Sequence, residues 1–384
     1  MLRWDRLFDI AKGEGGEESR DIIRLTKKFE SGEALPEERL ELAEHLLKGR
    51  NLKKGEKMLM ELMASDDLDE RLLEEACELL EQVGRYELAL EGYHKIRSID
   101  PRRALPVYRM GRLLEMQGKL EEAILHHKQA IALESDNPEC YYRLGVSFMK
   151  NHQYEEAEEQ YRKAIEIDPT HSKSYTNLGY ILDLQGKRES ALLQFRKAVQ
   201  HNPKSAEAHF NLGALYGEEG DRGQAIKEFR IGLEIDAASV DGHYNLGLAL
   251  MNEGRLNDAE EEFKRILKIE HDNVNALFYL GLLYYRKVVY AKALKHLQQA
   301  SRLNPGNTTI LYYVGECFNK LEQPAKALEF YKKVTEINPA DSKVYFSLGV
   351  IYEKQDDKRK ASEYYKLAAL KSHGETPGGT MVPE

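Results

Sequence analysis

The sequence predicts an all-α solenoid of about ten tandem helix–turn–helix units. Three observations predict it. A glycine returns every 34 residues, an alanine follows each glycine twelve residues later, and no segment alternates polar and apolar residues in the manner of a strand. The glycines are Gly111, Gly145, Gly179, Gly213, Gly247, Gly281, Gly315 and Gly349. The alanines are Ala123, Ala157, Ala191, Ala225, Ala259, Ala293, Ala327 and Ala361.

Two further columns keep the same step. A large side chain recurs at His127, Tyr161, Phe195, Phe229, Phe263, Leu297, Tyr331 and Tyr365. Met110, Leu144, Leu178, Leu212, Leu246, Leu280, Val314 and Leu348 stand just before the glycines. Two antiparallel helices approach closely only where a side chain is very small, so the glycine and alanine columns belong at a hairpin crossing. The large columns fill the space beside it at helical spacing.

Punctuation falls between these columns. Gly118, Gly186, Gly220 and Gly254 sit where one helix must turn into the next. Pro101, Pro169, Pro203, Pro305 and Pro339 follow the second helix, each preceded by Asp or Asn, and mark the start of a new unit. Eight regular units therefore occupy residues 104–372. Two degenerate units precede them over residues 36–103, with Cys77 and Ala43 in the glycine column and Gly55 in the alanine column. Terminal units of a stack have one face without a neighbour and depart from the pattern for that reason. Residues 1–35 form an N-terminal segment. Its stripe of Trp4, Leu7, Phe8 and Ala11 caps the stack or docks on a partner or membrane surface. Residues 373–384 lack a helical period and read as a disordered tail.

Composition narrows the function. A chain of 384 residues ordinarily means two or three globular domains, but the repeat overrides that count. With 42% hydrophobic and 32% charged residues it is too apolar for a disordered chain, and its helix surfaces are well solvated. A formal net charge of −9 argues against general nucleic-acid binding, which needs a basic footprint. Cys77, Cys140 and Cys317 are too far apart for a metal or redox motif and read as reduced thiols in helices. The start has no signal-peptide run and no stretch of roughly 20 apolar residues is long enough to span a bilayer, so the expected location is cytoplasmic.

The columns resemble the tetratricopeptide repeat (TPR) family. The unit from Ser172 to Ser205 carries the motif best. The resemblance implies a right-handed superhelix in which the first helix of each unit lines a concave groove. On that groove it places Tyr108, Tyr142, Thr176, Phe210, Tyr244, Phe278, Tyr312 and Phe346, all but one aromatic. These rings contact a ligand, or are partly structural, or both. The neighbouring column reads Arg109, Arg143, Asn177, Asn211, Asn245, Tyr279, Tyr313 and Ser347. Its three asparagines are similar to the ladder in the repeat domains of protein O-linked N-acetylglucosamine transferases. An amide donates and accepts at once and so grips a peptide backbone of any sequence, although asparagine is also common here across the family. Arg109, Arg112, Arg143, Lys150 and Lys173 make the early groove basic, and Asp183, Glu207, Glu218 and Asp241 make the later part acidic. That polarity suits a ligand with an acidic segment towards the N-terminal units, or is solvated charge without a partner. Chaperone-binding members use lysine and asparagine at set places of the first helices; aromatics, Arg112, Val146, Tyr180 or Ala214 stand there, which argues against that activity.

Catalytic constellations are absent from the pattern. His126 and His127 are adjacent and so point different ways, and His209 and His243 fall in a packing column. Carboxylate runs such as Glu155 to Gln160 lie on outward faces without an enclosed cleft. The expectation is a non-enzymatic protein–protein interaction scaffold without cofactor or metal. It binds an extended peptide or a partner helix of unknown identity, mainly between Tyr108 and Phe346. Two alternatives come from other classes: a self-assembling module plugged by the N-terminal segment, and an accessory subunit presenting substrates to a separate transferase.

Overall fold

The computed structural model describes residues 17–372, apart from 50, 66 and 67. The stripe at Trp4, Leu7 and Phe8 and the tail 373–384 lie outside the described residues. Those residues form twenty-one helices and no strand. The first, α1, spans Glu17–Ser31. Ten helical hairpins follow. In the first compact unit, Met1–His201, they are α2 (Pro36–Lys48) with α3 (Leu52–Met63), α4 (Glu70–Gln82) with α5 (Tyr86–Ile99), and α6 (Ala104–Met116) with α7 (Leu120–Leu133). Then come α8 (Pro138–Lys150) with α9 (Tyr154–Ile167) and α10 (Ser172–Leu184) with α11 (Arg188–His201). In the second unit, Asn202–Glu384, they are α12 (Ala206–Glu218) with α13 (Arg222–Ile235), α14 (Val240–Asn252) with α15 (Leu256–Ile269), and α16 (Val274–Arg286) with α17 (Tyr290–Leu303). The last two are α18 (Thr308–Lys320) with α19 (Pro324–Ile337) and α20 (Ser342–Lys354) with α21 (Lys358–Ser372).

Local chemistry sets these boundaries. From α8 onward each first helix opens on a side chain that accepts from an early backbone N–H. Asn273 Oδ1 accepts from the Ala276 amide at 2.9 Å, Asn307 Oδ1 from Ile310 at 3.1 Å, and Ser239 Oγ from Gly242 at 3.0 Å. The turn inside each hairpin from α4 onward places one residue in the left-handed region. Gly118, Gly186, Gly220 and Gly254 supply it with φ of 76°, 74°, 86° and 82°. The units that lack glycine force His152, Val288, Glu322 and Asp356 into the same conformation, with φ between 58° and 62°.

Packing explains the columns. In the eight regular units the large residue of the second helix lays its side chain over the glycine of its own first helix. A Cβ at Gly145 would stand 2.7 Å from the Tyr161 ring, one at Gly247 2.9 Å from Phe263, and one at Gly315 2.5 Å from Tyr331. The glycine thus makes room for a ring rather than for a backbone. Tyr161, Phe263 and Tyr331 are fully buried, and each such ring contributes about 1.5–3 kcal/mol. The alanine column is buried from Ala123 to Ala361. Within each compact unit every hairpin packs on the next. Some successive first helices also touch, as α6 does α8, α12 does α14 and α16 does α18.

The buried polar groups are few. His209 Nδ1 lies 2.7 Å from Glu228, and its Nε2 lies 3.1 Å from the Pro203 carbonyl. One unit on, His243 repeats this with Glu262 at 2.7 Å and the Ala237 carbonyl at 3.2 Å. In both residues each ring nitrogen faces an oxygen. His127 is the opposite case. It is buried under Gly111 and neither ring nitrogen has a partner. Burial, helped by the nearby Arg143 charge, brings its pKa down to about 3. Cys77, Cys140 and Cys317 are buried free thiols, and burial pushes each up to about 12. No described helix is long and apolar enough to cross a membrane.

Candidate functional site

The first helices carry the residues that the sequence singled out. In the first unit these are Tyr108 and Arg109 on α6, Tyr142 and Arg143 on α8, and Asn177 on α10. In the second they are Phe210 and Asn211 on α12, Tyr244 and Asn245 on α14, Phe278 on α16, Tyr312 on α18 and Phe346 on α20. All are partly exposed. Most aromatics are half-buried, and Phe346, at 57% exposure, is the most open.

The charge of the first unit is largely taken up within it. Arg109 reaches Glu78 at 2.6 Å and Glu81 at 3.6 Å, and Arg112 reaches Glu81 at 2.9 Å. Lys150 meets Glu115 at 2.8 Å. The expected basic stretch is therefore mostly a row of ion pairs, each joining one repeat to the previous one. The sequence hid this because each partner lies about one repeat away, at a distance that periodicity does not flag. A cationic excess survives at one place. Glu139 is met by Arg143 at 3.1 Å and by His171 at 3.4 Å. Lys173 stands over the Tyr142 ring, 5.9 Å from its centre, with Arg143 at 5.4 Å. Burial alone would raise the Glu139 carboxyl, but the His171 hydrogen bond and the Arg143 and Lys173 charges bring it down to about 2.

The asparagine ladder is not uniform. Asn177 donates its amide to the Tyr161 hydroxyl at 3.1 Å and is committed inside the first unit. Asn211 and Asn245, in the second unit, are partly exposed and make no side-chain hydrogen bond among the described residues. The aromatics divide likewise. Phe210 is spent on packing, because its ring fills the space that a Cβ would take at Gly232 and Gly242. Tyr108 donates to Glu139 at 3.3 Å. Tyr244 meets Tyr279 edge-on at 5.5 Å, Phe278 meets Tyr279 at 5.1 Å and Tyr313 at 6.0 Å, and Tyr312 meets Tyr313 at 5.4 Å. These rings form a continuous aromatic strip from α14 to α18. Beyond it, Phe346 lines an open, mainly apolar pocket of about 660 Å³ with Tyr312, Tyr365 and Ala368.

Helical hairpins in strict 34-residue register, with ring-over-glycine packing, point to one repeat family, and family profiles agree. Residues 215–273 and 342–369 match tetratricopeptide repeat profiles. Residues 109–230 match the cilia and flagella-associated protein 70 middle TPR-like domain. Residues 252–334 match anaphase-promoting complex, cyclosome, subunit 3. The chain belongs to the tetratricopeptide repeat family.

Solved TPR structures are similar to it. The C-terminal part of a TPR repeat-containing protein from Cytophaga hutchinsonii is 17% identical, with TM-score 0.51, over 62% of this chain and 97% of that one, and it shares the fold. MamA is 28% identical, with TM-score 0.41, over 42% of this chain and 95% of its own. YrrB, described as a TPR protein with an unusual peptide-binding site, is 26% identical, with TM-score 0.40, over 49% and 97%. No curated protein matches the chain. As a TPR protein it is a protein-interaction scaffold. Among its described residues no three His, Cys, Asp or Glu side chains gather as a metal site.

Proposed function

We propose that this TPR protein holds an extended segment of a partner protein on the first-helix face of its second unit. One observation carries the reading: Asn211 and Asn245 stand one repeat apart on that face with their amides uncommitted. Packed helices lie about 8–10 Å apart, and an extended chain advances about 3.3 Å per residue. An amide per repeat thus meets about every third residue of a strand-like ligand. Each amide offers both a donor and an acceptor to the backbone, independent of side chains. The strip formed by Tyr244, Phe278, Tyr279 and Tyr313 adds rigid contact area at low entropic cost. In the first unit the excess of positive charge around Tyr142, Arg143 and Lys173 favours an acidic stretch of a partner.

The test is a displayed library of linear peptides selected on the full chain. Its winners are then measured on the Asn211→Ala/Asn245→Ala variant. The expected result is at least about tenfold weaker binding, two lost backbone hydrogen bonds of about 1 kcal/mol each, with unchanged melting. Winners that bind the variant as tightly as the unmodified chain would remove the ladder from the mechanism.

A further inference from the structure

One carboxylate on the first-helix face differs from the other charged groups there. Glu316, on α18, is partly exposed and makes no ion pair among the described residues. Neutral hydroxyls surround it instead. Its Oε1 accepts from Tyr331 at 2.5 Å and from Ser347 at 2.9 Å, and its Oε2 accepts from Tyr285 at 3.2 Å. These bonds hold the carboxylate in one place without cancelling its charge. Burial first, and then the Glu316 charge, keeps the Tyr285 and Tyr331 hydroxyls well above the usual tyrosine range, so they remain donors. Tyr312 and Tyr313 precede Glu316 by four and three residues on the same helix and therefore share its side. Tyr313 in turn meets Tyr285 edge-on at 5.6 Å.

A fixed negative charge with aromatic side chains beside it is a receptor for a cation. The kind of cation follows from what is missing. Glu316 belongs to no group of three His, Cys, Asp or Glu that could hold a metal among the described residues, so a divalent ion lacks a full ligand set. Three of about four acceptor sites on the carboxylate are used, so a guanidinium cannot engage it through both prongs. A compact ammonium needs one site and is also attracted by ring faces. Lys320 lies one turn further along α18, but it is exposed and makes no ion pair with Glu316.

The geometry points to a lysine-binding site at Glu316, Tyr285, Tyr312 and Tyr313, occupied by a lysine side chain of the partner segment. It rests on the proposal that a partner segment reaches this face, and it names what that segment carries.

The probe is an N-terminally fluorescein-labelled (Gly-Lys)4 peptide, read by anisotropy on the full chain at low salt. Its control is the same peptide acetylated on every lysine, which keeps the length and removes the charge. Glu316→Gln is expected to weaken the lysine peptide about fivefold or more, and Tyr313→Ala by a similar factor. Glu336→Gln makes the same charge change on α19, where Glu336 is exposed, and is expected to stay within about twofold. Tyr313→Ala leaves the Glu316 hydrogen bonds intact, so it decides the matter if Glu316→Gln lowers the melting temperature. Equal weakening by Glu336→Gln, no weakening by Tyr313→Ala, or equal binding of the acetylated peptide overturns the site. So does failure of the unmodified chain to bind at millimolar peptide. The asparagine ladder is judged separately, by library winners on the Asn211→Ala/Asn245→Ala variant.

Discussion

His127 and His209 are both buried histidines, and they show how differently one residue type is used. His127 occupies the place that Tyr161, Phe195 and Phe263 fill in other units, but its two ring nitrogens have no partner. An unsatisfied buried polar group costs about 1–3 kcal/mol, so His127→Phe should stabilise the first unit by about 1 kcal/mol at neutral pH, read by urea unfolding. The gain should depend on pH. The folded-state pKa is depressed to about 3, against 6.5 for an ordinary histidine, so in that window the unfolded chain binds the extra proton. The unmodified chain therefore loses stability as pH falls from 6.5 towards 3, by up to about 1.4 kcal/mol per pH unit, and the phenylalanine variant does not share that loss. His209 is paired. His209→Ala strands the Glu228 carboxylate and should cost about 3–5 kcal/mol. Leu311 and Phe330 fill the same two places three units later. The double change His209→Leu/Glu228→Phe should therefore return to within about 1.5 kcal/mol of the parent; a double variant as unstable as the single one would contradict this. The sequence placed both histidines in packing columns correctly. It missed the partner of His209, since His209 and Glu228 lie 19 residues apart on different helices and only the hairpin brings them together.

The hairpin was the most legible element, because glycine, alanine and ring report the same crossing. Its internal turn was legible where glycine marks it, at Gly118, Gly186, Gly220 and Gly254, and silent at His152, Val288, Glu322 and Asp356. Val288 is the most strained of these, a β-branched residue at φ 62° and 65% exposed. Val288→Gly should stabilise the turn between α16 and α17 by about 1 kcal/mol, the relief of strain exceeding the added chain entropy. Thermal unfolding checks it, and a lower melting temperature would refute it. The candidate site was less legible. The asparagines and aromatics were readable as columns. Their availability was not, because it depends on contacts outside the column: Asn177 is bound to Tyr161, Phe210 is seated on Gly232 and Gly242, and Arg109 is paired with Glu78.

At the scale of the whole chain, stability is a sum of hairpins and the contacts between neighbours rather than one central core. Damage should accordingly stay local. Gly145→Val drives a side chain into the Tyr161 ring and should cost about 1–3 kcal/mol. In hydrogen exchange the amides of α8 and α9 should lose protection, while those of α16 to α19 keep theirs. Uniform loss through both compact units would show a single cooperative block instead. The ring over glycine and the buried His–Glu pair share one consequence for how such a chain is inherited. Both join a first helix to the second helix of the same hairpin. A genetic crossover between hairpins, near Pro203 or Ala237, exchanges complete parts. One inside a hairpin, between His209 and Glu228 for instance, leaves a carboxylate facing whatever its new neighbour brings. The heritable block is therefore the hairpin with its own turn, and lineages that shuffle repeats should carry breakpoints in the loops between hairpins and few within them.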